Sequence, residues 1–427
     1  MKAAGLSLDV SRELCAICGE EQVRERDGGP IVVLPASAEE VATVLRLANE
    51  RRLRLSPAGS DTAINPSGKQ PDVVLNTTRL TEVEHYDHAD LTVGIGAGTT
   101  VARLQALVGA EHLLFAADPA LPDRCTVGGL LATASHGPLR HGYGGVRDYC
   151  IGIRFVTGDA RRAKGGGRVV KNVAGYDLMK LLIGSYGTLA VITSASFKLF
   201  PAPRETKTFL AEFSGAAEAL RFRDQLMRSP LSPMCLELVS PGARKLMRPE
   251  MAGDAWVICV RAAGSDAVQA RYRTELGSAV TRELDGDKER IMWRAIEDFP
   301  ATCGQMSKDE RRKEGARTVC IQISVPPSDV LRIINVLNTP DDRKNVSVGF
   351  IGRVGVGHVL AVIQISSEER EPLRLVDNLR REFKDNLSVK LDSASKPWPI
   401  PPANLATMRA VKQALDPGNV LCGREIF

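Results

Sequence analysis

Between Gly166 and Thr193 the chain runs GGRVVKNVAGYDLMKLLIGSYGTLAVIT, with Lys171 beside Asn172 and Tyr176 beside Asp177 among glycines and apolar residues. Bare backbone next to hydrogen-bonding side chains suits the close approach of a flat or phosphorylated ligand. Lys171 and Tyr176 are candidates for groups that face a ligand or substrate cleft. A purely local role competes with this: Asn172 and Asp177 cap the loop and a helix, and Lys171 pairs with Asp177. Two other segments share the texture. SPAGSDT (Ser56–Thr62) is a polar, glycine-bearing loop at a strand end, a place where α/β proteins hold phosphates. CTVGGLLATASHGPLRHGYGGVRDYCIGI (Cys125–Ile153) is rich in glycine and small residues. Tight turns between short strands would explain any one such cluster, but several within one domain point to a ligand that the backbone must approach. GIGAG (Gly94–Gly98) imitates a dinucleotide-binding loop, yet Thr99 stands where the last glycine of G-x-G-x-x-G belongs and no clean βαβ unit follows.

Bulk composition bounds what such a site can be. The 427 residues suffice for two or three domains with buried cores. With 44% hydrophobic and 25% charged residues, the make-up is that of an ordinary soluble globular protein. The formal charge of +5 comes from 56 basic and 51 acidic residues spread along the chain, so no concentrated basic face marks a nucleic-acid partner. The run KDERRKEGAR (Lys308–Arg317) mixes both signs, as a solvated loop or helix end does. No apolar run approaches the roughly 18 residues that cross a bilayer. Asp9 and Arg12 interrupt the N-terminal stretch where a signal peptide needs an apolar core, so the expected location is the cytoplasm. Nine cysteines, an odd number, do not suggest a disulfide framework. Cys15 and Cys18 form a C-x-x-C without a second pair at metal-site spacing, which favours two ordinary thiols on a helix.

The elements that must position these loops are legible in outline. IVVLP (Ile31–Pro35) is a short strand feeding the helix SAEEVATVLRLANERR. There Ser37 and Glu40 make a capping box, and Val41, Val44, Leu45 and Ala48 recur at helical spacing. LRLSPA and DVVLNT add strands, completing a small α/β unit. A second block runs from LTVGIGAG to ASFKLFP and includes the helix YDLMKLLIGS, with Leu178, Leu181 and Leu182 directed inward. Pro201 and Pro203 mark a linker. Beyond it, TKTFLAEF, AWVICVRAAG and TVCIQISVP alternate with the helices SDAVQARYRTELG and SDVLRIINVLNT, predicting an α+β domain with its helices on one face of a sheet. The proline-rich KPWPIPP then leads to a helix, NLATMRAVKQAL, and to the tail DPGNVLCGREIF. The expected boundaries are an N-terminal segment 1–30, a ligand-binding domain 31–203, a cap-like α+β domain 204–395, and a segment 396–427 returning to the first domain.

With these residues assembled, the chain resembles the FAD-binding E subunits of bacterial glycolate oxidase (glycolate dehydrogenase). These belong to the vanillyl-alcohol-oxidase-like superfamily with a PCMH-type FAD domain. The likeness rests on the Gly166–Thr193 signature, covers Ile31–Pro201, and resumes from Asp416. It implies an α+β fold, a small α/β subdomain plus a larger mixed subdomain, and FAD held without a covalent bond, since SPAGSDT lacks the usual tethering histidine. It assigns the pyrophosphate loop to Pro57, Gly59, Ser60, Asp61 and Thr62. Asp61 departs from the pattern: a carboxylate there is repelled by pyrophosphate and must point away or cap the turn. Thr126, Gly128, Gly129, Ala132, Thr133, Ser135 and Gly137 are implied to wrap the flavin and its ribityl-phosphate arm. His136 either donates a hydrogen bond to the flavin edge or is satisfied by backbone. Gly144, Gly145, Asp148 and Ile153 are implied to run beside the flavin and adenine, with Arg147 and Asp148 as an internal ion pair. Gly187, Leu189 and Val191 are implied to close over the adenine.

The resemblance also implies a reaction and partners. Flavin takes a hydride from the α-carbon of a 2-hydroxy acid, converting glycolate to glyoxylate. Catalytic relatives carry a metal-binding histidine cluster in the second domain, whereas only His358 lies beyond Pro201 here. The implied role is therefore a flavin-carrying subunit beside a related FAD-linked oxidase subunit and an iron–sulfur subunit, with any membrane contact made through those partners. No ferredoxin-type cysteine run is present for onward electron transfer. A self-sufficient oxidoreductase for another hydroxy acid or sugar acid, and a scaffold that has lost flavin, are the alternatives.

Overall fold

The computed structural model describes residues 2–25, 28–60, 70–168, 175–247, 251, 253–310, 317–338, 346–365, 379, 381–383, 388–391 and 402–422. Its first sheet grows from α1 (Lys2–Cys18), β1 (Val23–Arg24), β2 (Ile31–Val33), α2 (Ala38–Arg51), β3 (Leu55–Ala58) and β4 (Val73–Asn76). Ser37 Oγ accepts the Glu40 N–H at 3.1 Å, and Glu40 Oε2 accepts the Ala36 N–H at 2.9 Å, so α2 starts with its first donors satisfied. The strands lie in the order β1-β2-β4-β3, with β2, β4 and β3 parallel and β1 antiparallel at the edge. Val41, Val44 and Leu45 of α2 close one core with Val33, Leu55, Leu75 and Leu14. Each such side chain contributes about 1.5–3 kcal/mol on full burial.

The second sheet is antiparallel throughout. Its region comprises β5 (Val83–Asp87), β6 (Thr92–Gly96), α3 (Val101–Gly109), β7 (Leu113–Leu114), α4 (Val127–Thr133), α5 (Arg140–Tyr143), α6 (Val146–Tyr149), β8 (Cys150–Thr157), β9 (Arg162–Gly166), α7 (Leu178–Leu182), β10 (Ala190–Lys198) and β11 (Phe200–Pro201). The sheet order is β5-β6-β10-β8-β9, while β7 pairs separately with β11. Val93, Ile95, Ile153, Phe155 and Phe197 cover Leu104 of α3 and Leu130 and Leu131 of α4. The GIGAG glycines serve packing rather than phosphate. An added Cβ would lie 2.2 Å from the Leu80 carbonyl at Gly96 and 2.1 Å from that of Thr77 at Gly98, so main chain rests on main chain.

The α7 helix corrects one expectation. Leu182 is buried, but Leu181 is 37% exposed. At 100° per residue the inward face of so short a helix is Leu178, Met179 and Leu182, which leaves Leu181 outside it. Asp177 caps this helix, accepting the Lys180 N–H at 3.2 Å, and pairs with Lys180 at 3.1 Å.

The remaining elements are β12 (Thr206–Phe213), α8 (Ala216–Arg228), β13 (Cys235–Val239), α9 (Pro241–Leu246), β14 (Trp256–Ala263), α10 (Asp266–Leu276), β15 (Val280–Leu284), α11 (Gly286–Glu310), β16 (Arg317–Ser324), α12 (Val330–Asn338), β17 (Val346–Arg353), β18 (His358–Ile365), β19 (Ser388–Leu391) and α13 (Pro402–Leu415). An antiparallel sheet in the order β15-β12-β14-β13-β17-β18-β16-β19 carries Phe209, Leu236, Ile258, Ile321 and Ala361 on one face, against Leu220, Tyr272 and Ile333 of α8, α10 and α12. The helices are not confined to that face. Thr208 alternates with Phe209 along β12, and Trp293 of α11 donates its indole N–H to Thr208 Oγ1 at 2.7 Å, so α11 covers the opposite side. The chain divides into two compact units, one of Met1–His136, Gly145–Ala202 and Pro399–Phe427, the other of Gly137–Gly144 and Pro203–Trp398.

Candidate functional site

Three stretches of the first unit meet where β3 ends. Gly59 lies against Thr126, because a Cβ added to it would stand 2.2 Å from Thr126 Oγ1. Thr126 in turn caps α4, accepting the Gly129 N–H at 3.1 Å. On the other side the Pro57 ring faces Gly187, where an added Cβ would come within 3.3 Å and where φ is +72°, a conformation that favours glycine. The turn containing Gly187 is tied to α4: Gly184 and Tyr186 donate their N–H groups to the carbonyls of Leu131 and Ala132 at 2.9 and 2.8 Å. Ser60, Gly129 and Gly187 thus belong to one locality, walled by backbone that any larger residue would fill.

The donors available there differ from those the glycines suggest. The N–H groups of Val127, Gly128 and Gly129 are spent on Thr99, Ala97 and Thr126. Gly128 and Gly129 therefore provide closeness, and the Gly59 and Ser60 N–H groups have no acceptor among the described residues. Asn76 Nδ2 fixes the Gly59 carbonyl at 3.1 Å, and Arg124 Nη2 reaches the Ser60 carbonyl at 3.4 Å, which brings a cation beside the loop. Thr133 Oγ1 donates to Gly129 O at 2.7 Å and accepts from Ser135 Oγ at 2.6 Å. An anion-accepting loop flanked by a glycine wall fits an adenine-capped dinucleotide such as FAD.

Several expected residues stand elsewhere. Asp61, Thr62, Lys171 and Asn172 lie outside the described residues. Tyr176 is 92% exposed and projects into solvent, so it is not a group enclosed by this site. Ile153 sits mid-strand in β8 at 2% exposure, paired with Ala195 and Gly165 on either side, and offers its side chain to the core. Leu189 and Val191 likewise face the cores, leaving only backbone for a ligand. Asp148 turns back to accept the Gly145 N–H at 2.7 Å. Gly137 and Gly144 fall in the second unit and His136, half-buried, in the first. Cys18 of the C-x-x-C is pushed up to about 12 by burial and by Glu40, a poor thiolate for redox work. Sequence reasoning passed over Asn76, Arg124 and the Lys412–Asp416 pair; the i,i+4 spacing of the last is its only sequence signal.

The fold is that of PCMH-type, vanillyl-alcohol-oxidase-like flavoproteins. A 4-ethylphenol oxidase from Gulosibacter chungangensis superposes with a TM-score of 0.70 over 98% of this chain and 96% of that one, at 16% identity. Residues 30–164 match the family described as FAD binding domain, and residues 202–389 match FAD linked oxidases, C-terminal domain. The chain accordingly belongs to the FAD-linked oxidases, and FAD is its cofactor. Among curated relatives it is 34% identical to a D-lactate dehydrogenase of Archaeoglobus fulgidus over 53% of this chain and 51% of that one, about half the relative's length. It is 36% identical to glycolate oxidase subunit GlcE of Escherichia coli over 36% of this chain and 44% of that one. The match to glycolate oxidase subunit GlcD of Bacillus subtilis spans 99% and 97% of the two chains at 22% identity. No helix among the described residues is long and apolar enough to cross a membrane.

Proposed function

We propose that this chain is the FAD-carrying subunit of a multisubunit glycolate oxidase, oxidising a small 2-hydroxy acid, glycolate foremost, with a related FAD-linked oxidase subunit and an iron–sulfur subunit as partners. The observation that carries the proposal is the meeting of the Pro57–Ser60, Thr126–Gly129 and Gly184–Gly187 segments around one backbone-walled locality. In this proposal Gly59 and Ser60 hold the pyrophosphate, Thr126, Gly129, Thr133 and Ser135 line the arm of the cofactor, and Gly187 borders the adenine. The names of the glycolate oxidase and D-lactate dehydrogenase relatives support a hydroxy acid as substrate.

When bound, FAD supplies the acceptor for the hydride on the substrate α-carbon. The chain's part is to bind the carboxylate and take the hydroxyl proton. Most buried arginines of the second unit are already committed. Arg223 holds the Val354 carbonyl at 2.8 Å, Arg244 holds those of Met251 and Ala255 at 2.6 and 2.9 Å, and the half-buried Arg261 serves Glu289 at 3.1 Å. Arg353, 5% exposed, is itself ion-paired with the fully buried Glu237, its Nε 3.6 Å from Oε1. Cross-strand pairing sets Arg353, His358 and Ser324 in one row, with His358 Nδ1 3.0 Å from Ser324 Oγ.

Anaerobic addition of glycolate to the purified chain, alone and with its partner subunits, tests the proposal through loss of the oxidised-flavin absorbance. Bleaching that requires the partners supports the subunit role. Bleaching of the lone chain by D-lactate, but not by glycolate, would establish the self-sufficient alternative that the first relative favours. A colourless chain that still binds its partners would mean the scaffold role.

A further inference from the structure

The C-terminal segment holds the cofactor loops at their spacing without belonging to them. The Lys412 ammonium, 11% exposed, donates to the Thr188 carbonyl at 2.8 Å, to the Leu421 carbonyl at 2.9 Å, and to Asp416 Oδ2. These use all three of its N–H donors. Asp416, fully buried, accepts the N–H groups of Val420 at 3.0 Å and Leu421 at 2.9 Å. Gly158 lies flush against the Asp416 carboxylate, where an added Cβ would overlap it. The tail then runs beside β3, with Leu55 N–H donating to Val420 O at 2.7 Å and Cys422 N–H to Leu55 O at 2.9 Å.

The two ends of this arrangement reach both sides of the proposed FAD site. Thr188 directly follows Gly187, and Leu55 begins the strand that carries Pro57 and ends at Ala58, next to Gly59. We infer that Lys412 is a positioning residue for FAD: bridging the Thr188 turn to the tail strand, it fixes the gap between the Gly187 wall and the Pro57–Ser60 loop. The burial of the pair makes the bridge stiff, because neither charge can exchange its partner for water without exposing the tail. The cofactor site is thereby completed by residues more than two hundred positions from its nearest wall in the chain.

The inference rests on the proposed FAD site, and its test separates the two. In the full chain, Lys412→Met should raise the FAD dissociation constant at least tenfold, measured by flavin fluorescence well below the melting temperature of the apoprotein. A merely structural lysine would lower that melting temperature and leave the constant alone, so a folded variant within twofold of wild type overturns the inference. Hydrogen exchange of the wild-type chain gives the second readout, valid even if the variant fails to fold. FAD should slow exchange at 57–60 and 126–129 and also at 420–422. Protection confined to the first two segments overturns the Lys412 role, whereas no protection at 57–60 or 126–129 overturns the FAD site itself.

Discussion

Gly59→Ala puts the proposed site to its sharpest test. The added Cβ would stand 2.2 Å from Thr126 Oγ1 and 3.2 Å from Thr126 Cβ. Ordinary contact begins near 3.4 Å, so the loop and the start of α4 must part by about 1.2 Å. Overpacking of this kind costs about 1–3 kcal/mol. Turning Thr126 away instead would forfeit the α4 cap, about 1 kcal/mol. Thr126 is buried at the head of a packed helix, whereas Gly59 is half-buried in a loop, so the loop yields first. The penalty then falls on the cofactor: about 1.4–2.8 kcal/mol corresponds to a ten- to hundredfold rise in the FAD Kd. Titrating the apoprotein with FAD, with a parallel thermal melt, reads both terms. An unchanged Kd, whatever the melt shows, would mean that Gly59 does not border the cofactor.

Other substitutions probe single links. Thr126→Ala should cost about 1 kcal/mol by removing the Gly129 cap, with Thr126→Ser retaining most of it, as chemical denaturation would show. Tyr176→Ala should leave both the melting temperature and the FAD Kd of the isolated chain unchanged; a weakened Kd would contradict the exposure of that ring. Burial holds the His141 imidazole below its ordinary value of 6.5, and the ring lies against Gly355. The unfolded chain therefore takes the proton first. The stability owed to the neutral ring is complete above about pH 6.5 and is lost as pH falls below it. Melts between about pH 7.5 and 5.5 should fall more steeply for wild type than for His141→Gln. His85, lowered by burial and by Arg168, keeps a residual slope in both.

Local signals in the sequence were reliable where a single element had to satisfy its own ends. Ser37 and Glu40 announced α2 because capping chemistry is contained within a few residues. The loops after Ala58 and around Gly128 were visible because glycine and small residues have few other uses at a strand end. What the glycines were for was less visible. Gly96 and Gly98 accommodate the Leu80 and Thr77 carbonyls, respectively, and the Gly128 N–H is spent on Ala97, partners set by tertiary packing. Tyr176 sits in an arresting motif yet faces solvent, because the turn before α7 points it outward. The α11 helix escaped notice: Pro300 interrupts its pattern, and its inward residues face a sheet side that sequence periodicity does not identify. The Lys412–Asp416 pair escaped because the Thr188 carbonyl it bridges to comes from remote chain.

The placement of indole rings carries a practical consequence. The two tryptophans among the described residues, Trp256 and Trp293, lie in the second unit, and Trp293 is buried with its N–H bonded to Thr208. Emission from these two rings therefore reports the melting of that unit. Flavin emission would follow the other half, so one sample read at two wavelengths resolves whether the halves come apart together or in turn.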